Sequence, residues 1–355
     1  MGIVKKLAFV LALFTVTISS SLLVLTNKVS AAEDDGGFNL ITSPLPINLT
    51  GKPGQTLKAD IKVKNGSNHP EKLKVTLMKF SASGEEGKPA IADRGKNDDY
   101  FDWVTFSPQT FDAPTNEWIT VVMTIKLPPS AAFGYYYAAA FSRASDTTAQ
   151  KANTLLGSTA VLALVNAEVQ GAKREATIKS FTLSKKTYEF LPANFTIKVR
   201  NTGNIHLVPA GNIFISKGGK TVATLKVNSA GGNVLPQTNR IFTSEWEDGF
   251  PSYVKKEIGG QVVLDENDKS VSTLKWDFTK ISKLRFGHYT AHLFLAYDNG
   301  QRDVPMEATL SFWVVPWRIL GGLLMLLILT VLGLWSIGRP IIRKIRRRHE
   351  KTYHR

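Results

Sequence analysis

Apolar and polar residues alternate through the middle of this chain with a period of two. Leu57, Ala59, Ile61 and Val63 are separated by Lys58, Asp60 and Lys62. The same rhythm runs through Leu73–Leu77, Ile119–Leu127, Phe195–Val199, Tyr289–Tyr297 and Ala308–Val314. Successive strand side chains point to opposite faces, so this pattern predicts strands with one buried and one wet face. Asn65-Gly66, Gly218-Gly219 and Asn299-Gly300 punctuate the runs as turns. The last lies between two alternating runs and predicts a hairpin.

Two apolar runs break the rhythm. Residues 319–338 carry no charge, and twenty helical residues cover about 30 Å, the thickness of a bilayer core. Trp317 and Arg318 stand at one end of that run, Trp335 and Arg339 at the other. These four are the expected membrane-interface anchors of a span over 316–338. Lys5 and Lys6 precede the other run, Leu7–Leu25, and Val29-Ser30-Ala31-Ala32 follows it. That is the layout of a signal peptide over residues 1–31, with an uncleaved anchor as the alternative. The basic tail, 339–355, is expected in the cytoplasm and 33–315 outside, so the chain reads as a single-pass bacterial membrane protein.

About 283 residues lie between the two runs, enough for two domains. Two short motifs recur in the same order. Val63-Lys-Asn65 and Val199-Arg-Asn201 share V-[KR]-N-x-x-N, which reads as a structural strand end. Phe133–Ala138 and Phe286–Ala291 share F-G-x-Y-x-A, with Phe141 and Phe294 extending the match. The expected fold is all-β, with two tandem Ig-like β-sandwiches at 33–171 and 172–315 that meet near Gly171–Lys173.

Charge refines this picture. The net charge is +15, but residues 339–355 contribute +7 and Lys5, Lys6, Lys28 and Arg318 four more, leaving about +4 outside. The basic balance therefore reports the membrane ends and their attraction to anionic lipid, not a nucleic-acid surface. The chain has no cysteine, which excludes thiol chemistry and suits an exported bacterial protein. The sequons at Asn48 and Asn194 are read as chance.

Candidate chemistry is sparse. His288 and His292 share a strand face but stand about 13 Å apart, too far to chelate together. His206 reads as a turn or packing residue. Asp93, Asp98, Asp99 and Asp102 cluster in a polar segment, Gly84–Asp102, where Arg94 and Lys96 interleave. A solvated loop is the expectation and calcium the alternative. No nucleophile elbow, zinc helix, P-loop or dinucleotide fingerprint occurs. No enzyme activity and no cofactor are expected. Tyr135, Tyr136, Tyr137, Trp246 and Phe250 offer rigid aromatic area and are the candidate partner-binding residues.

Several segments resemble the WxL-interacting proteins of Gram-positive surfaces. Phe38–Pro46 followed by Lys52-Pro-Gly54-Gln-Thr56 is similar to that family's opening. Leu127-Pro-Pro129 before Gly134-Tyr-Tyr136 is similar to the close of its first domain. Asn201-Thr-Gly203-Asn204, His206, Pro209, Gly211, Val234-Leu-Pro236 and Arg240 are similar to its second domain. The segment Gly84–Asp102 departs from the pattern. The resemblance implies attachment, one domain toward peptidoglycan and the other toward a protein partner. No W-x-L motif occurs, so this chain would be the interacting partner. The expected function is non-enzymatic binding of a surface protein or cell-wall polymer. A transmembrane sensor acting through a cytoplasmic partner is the alternative, because the seventeen-residue tail is too short to signal alone.

Overall fold

The structure, a computed structural model, describes residues 38–145, 159–266 and 268–352. The N-terminal apolar run and Val29–Ala32 lie outside the described residues.

Two β-sandwiches follow one another. In the first, one sheet orders β1 (Leu40–Ser43), β3 (Thr56–Asn65), β8 (Trp118–Lys126) and β6 (Val104–Ser107). The facing sheet orders β2 (Ile47–Gly51), β10 (Thr159–Ala167), β9 (Phe133–Arg143), β4 (Glu71–Ser83) and β5 (Lys88–Ala92), and β7 (Thr110–Ala113) also pairs with β4. The second sandwich repeats the plan. One sheet orders β11 (Ala176–Leu183), β13 (Ala193–Asn201) and β16 (Asn239–Trp246). The other orders β12 (Thr187–Tyr188), β22 (Asp303–Val314), β21 (Gly287–Asp298), β14 (Ala210–Lys217) and β15 (Lys220–Val227). Two ribbons, β17 (Ser252–Lys255) with β20 (Ser272–Lys275) and β18 (Glu257–Ile258) with β19 (Gln261–Val262), extend from it.

The likeness of the halves is topological. In each, the first strand crosses between sheets and its second part, β2 or β12, runs parallel to the last strand, β10 or β22. The other pairs are antiparallel, as the hairpin turns require. The alternation places Ile61, Val63, Val121, Met123 and Ile125 in the first core. Phe195, Ile197, Val199, Leu293 and Leu295 fill the second.

The two recurring motifs fare differently. Asn65 and Asn201 are fully buried and do the same work. Asn65 Nδ2 donates to the His69 and Ala113 carbonyls, while Oδ1 accepts from Ser67 N. Asn201 Nδ2 donates to the Ile205 and Val234 carbonyls, while Oδ1 accepts from Gly203 N. Each amide satisfies backbone groups of a tight loop that would otherwise be buried unpaired. The F-G-x-Y-x-A match is not a structural equivalence. It aligns Tyr136 with Tyr289 and Phe141 with Phe294. Yet Tyr289 and Phe141 face cores, Phe294 is exposed and Tyr136 faces outward. A slip of one residue reverses every face of a strand, and the match carries that slip.

An α-helix, α1 (Trp317–Thr352), follows the second sandwich. Its first part, Trp317–Ser336, has mean hydropathy 2.3, is not buried and is long enough to cross a bilayer.

Candidate functional site

The site begins with a broken alternation. From Tyr137 to Ser142 every residue of β9 is buried on both faces. The outer face, with Met78, Phe80, Ala138, Ala140 and Leu164, forms its own cluster, and Leu235 of the second sandwich packs on it. The sandwiches are therefore docked. The polar segment expected to be a solvated insertion supplies the clasp, through the tip of the β4–β5 hairpin. Ile241 N donates to the Glu85 carbonyl at 2.7 Å. Asn239 Nδ2 donates to Glu85 Oε1 at 2.8 Å, and Lys198 Nζ meets Oε2 at 2.6 Å. The Lys198 ammonium, with Asn239, holds the Glu85 carboxyl below its ordinary pKa. On the other side Asn204 binds Lys173 N and the Gly171 carbonyl.

Tyr136 meets His206 edge-on, with ring centroids 5.8 Å apart, and Asn166 Nδ2 lies 3.5 Å from His206 Nε2. Burial, helped by the Arg174 charge, pushes the His206 pKa down to about 4. The imidazole is thus neutral at the contact near pH 7.

Beside the clasp lies a cleft of about 410 Å³. Pro46, Phe80, Ile91, Leu162, Leu164 and Leu235 give it apolar walls. Arg240, Asn233 and Asn239 close its polar end. Arg240 Nη1 donates to the Asn233 carbonyl at 2.6 Å, and the guanidinium sits 5.5 Å above the Phe242 ring. Among the described residues no carboxylate pairs with it, and burial alone lowers its pKa. Arg240 Nε, Asn233 Oδ1 and Asn239 Oδ1 are buried without partners. Room for the guanidinium comes from Gly87, at φ +77°, and Gly232. A Cβ on Gly232 would stand 2.6 Å from Arg240 Nη2. An unpaired guanidinium over apolar walls suits a ligand with a carboxylate or other acid beside apolar groups. Ser81 and Thr238 bring hydroxyls to the lining, but it holds no His, Asp or Glu to act as a base.

The candidate aromatic residues separate. Only Tyr136 joins this region. Tyr137 is fully buried and donates to the Tyr100 carbonyl, and Tyr135 packs on Trp103 at 4.8 Å. Both serve the aromatic cluster of the 3-10 turn Asp99–Trp103. Trp246 ends β16 with inward parity, so it is core rather than an exposed turn residue. It packs on Tyr289 at 5.2 Å and Phe312 at 6.1 Å, under the Arg285 guanidinium. Phe250 is buried beneath Trp276 and Phe278. Tyr137, Trp246 and Phe250, expected as partner-binding candidates, are thus buried and offer no surface to a partner.

The acidic cluster is tied to cations. Asp98 is buried against Lys79 at 2.8 Å, and Asp102 forms a two-bond pair with Arg94. Lys79 and Arg94 hold the Asp98 and Asp102 carboxyls below their ordinary pKa. His292 lies beside Thr309 and Glu307, and His288 beside Trp313, each with its own neighbours. Trp317 and Trp335 are exposed on α1, with Arg318 5.2 Å and Arg339 4.0 Å from their rings.

Arg240 and Glu85 build this candidate site, and no residue-type motif in the sequence points to either. The available signal was the conjunction of Val234-Leu-Pro236 with Arg240, which the resemblance picked out without assigning a role.

No protein-family model matches the sequence, and no curated protein matches it. Among solved structures the chain is similar to the chaperone DraB of E. coli, at 10% identity over 76% of this chain and 96% of that one, TM-score 0.32. It is similar to the CupB2 chaperone of Pseudomonas aeruginosa, at 8% identity over 77% and 100%, TM-score 0.30. It is also similar to the CsuC–CsuE chaperone–tip subunit pre-assembly complex of Acinetobacter baumannii, at 10% identity over 76% and 97%, TM-score 0.34. Likeness at this level transfers neither a partner nor an activity, and the fold stands on the strand pairing above.

Proposed function

We propose that this chain is a non-enzymatic binding protein of the bacterial surface, anchored by α1, that holds a surface protein or cell-wall polymer at the interdomain cleft. The observation that carries the reading is Arg240, an unpaired guanidinium at the end of an apolar cleft between two docked sandwiches. A half-buried cation without a counter-ion carries a desolvation cost that a bound acid offsets. Membership of the WxL-interacting proteins belongs to the same proposal. Of the residues that carry that resemblance, Leu235 and Arg240 line the interdomain cleft and Asn204 holds the connection at Gly171–Lys173.

The test uses the purified full chain and its Arg240→Gln variant in detergent, each mixed with wall fragments and with a cell-surface protein extract. Retention that falls about tenfold in the variant, the loss of one charged hydrogen-bonding partner, at unchanged melting supports the cleft. Equal retention by both removes the cleft from binding. Release of soluble wall products by the chain overturns the non-enzymatic reading.

A further inference from the structure

The end of the second sandwich nearest α1 carries an apolar surface that no part of the described chain covers. It belongs to the connection between β20 and β21. Trp276 is 48% and Phe278 68% exposed, and Ile281, Leu284 and Phe286 are exposed beside them. The Trp276 and Phe278 rings stack at 6.3 Å, so they present one continuous face. Contiguous exposed apolar area of this kind marks an interaction surface.

Its position names the occupant. Gly287, next to Phe286, pairs with Val314, and α1 begins three residues later at Trp317. Three residues reach about 10 Å at most. The first turn of α1 is also tied to this region. Arg318 Nε lies 3.3 Å from Glu189 Oε1, and Glu189 Oε2 accepts from Tyr253 of β17 at 3.4 Å. β17 pairs with β20, which leads directly into Trp276. Trp313, the residue before Val314, is half exposed at the same end. Lys275 and Lys280 stand around the rings, and neither forms a close ion pair among the described residues. Thr279, together with these two lysines, holds the Asp277 carboxyl between them below its ordinary pKa. Lys283 and Arg285 are engaged by Asp248.

The geometry points to the bilayer surface as the occupant: the Trp276–Phe286 connection rests on the outer headgroup layer, with its rings in the interface and Lys275 and Lys280 toward anionic lipid. Tryptophan and phenylalanine favour that depth, where an apolar ring meets a wet boundary. Surface lysines add attraction to anionic headgroups. The consequence is orientation. One tether leaves a domain free to swing, whereas a tether and a resting face together fix its long axis relative to the membrane. This inference rests on α1 spanning the membrane.

The chain has no cysteine, so single cysteines report cleanly. Phe278→Cys, Ile281→Cys, Gln301→Cys and Leu326→Cys are each labelled with an environment-sensitive fluorophore. The full chain is reconstituted in phosphatidylethanolamine–phosphatidylglycerol vesicles holding lipids spin-labelled at two depths. Position 326 should be quenched by the deep label. Position 281, and 278 with it, should lose about half their emission to the shallow label, as interfacial groups do. Position 301, in the hairpin at the opposite end of β21, should lose none. If 281 and 278 behave like 301 while 326 is quenched, the span stands and the resting face is overturned. Shielding of 281 from aqueous iodide without quenching by lipid also overturns it, and marks a second copy of the chain on the patch. If 326 itself is unquenched, the span fails and the inference with it.

Discussion

Acidification should loosen the contact between the sandwiches through His206. The imidazole is 5% exposed, its Nδ1 has no partner, and Arg174 adds like charge once it protonates. Its pKa is pushed down to about 4 in the folded chain, against 6.5 as the ordinary value. Above pH 6.5 the ring is neutral in both folded and unfolded chains and the native contact keeps its full stability. As pH falls from about 6.5 toward 4 the unfolded chain takes up the proton and the folded chain does not, so stability is lost through that window. Below about 4 both forms are protonated and the loss levels off. Moving a pKa from 6.5 to about 4 corresponds to about 3 kcal/mol. That is a large share of the 5–15 kcal/mol typical of a folded protein. The assay compares denaturant unfolding of the full chain and of His206→Gln at several pH values between about 7 and 4. Carboxylates such as Glu71 and Asp248, lowered by their cationic partners, lose stability with acid in both proteins alike. The difference between the two proteins should therefore narrow or reverse by about 3 kcal/mol in favour of glutamine as pH falls. A pH-independent difference refutes the reasoning.

Trp246→Ala should cost about 3–5 kcal/mol in unfolding experiments, because the ring fills the second core against Tyr289 and Phe312. Unchanged melting would return that ring to the surface. Asn201→Ala leaves the Ile205 and Val234 carbonyls and Gly203 N without their side-chain partner, and should cost about 2–4 kcal/mol. Thermal unfolding and amide exchange in the 201–206 loop report it, and intact protection there would count against the role given to Asn201.

Much of the fold was legible because strands write their faces into sequence. Ile61 and Val63 between lysines, or Leu293 and Leu295 in β21, needed only a period of two. The paired asparagines were legible for a different reason. A strand that ends in a tight loop needs one side chain with two donors and an acceptor, and Asn65 and Asn201 both supply it. The site was not legible. Glu85 lies in a stretch whose glycines and charges read as solvated loop, and nothing local says that a second domain waits 154 residues away at Asn239. Arg240 reads as an ordinary exposed position of an edge strand, since the missing counter-ion is a fact of three dimensions. Trp246 and Phe250 were misplaced because large rings suit cores and interfaces equally. Only the parity of β16 decides, and it was obscured by the glycine and acids that follow.

The arrangement of the two ends of the second sandwich bears on how such a protein works. β21 is twelve residues long, about 40 Å. Its first residue lies beside the origin of α1, and its last leads to Gly300, next to Arg174 at the junction with the first sandwich. Asn239 and Arg240 belong to that same junction, since they pair with Arg200 and Val199 at the far end of β13. The cleft therefore stands about one domain length from the origin of α1. A flexible linker of equal contour would place a ligand over a broad range of heights. Hydrogen-bonded sheets with a docked second domain hold it at one. If α1 lies in the bilayer, a ligand held at Arg240 would stand at a height set by the sandwich itself.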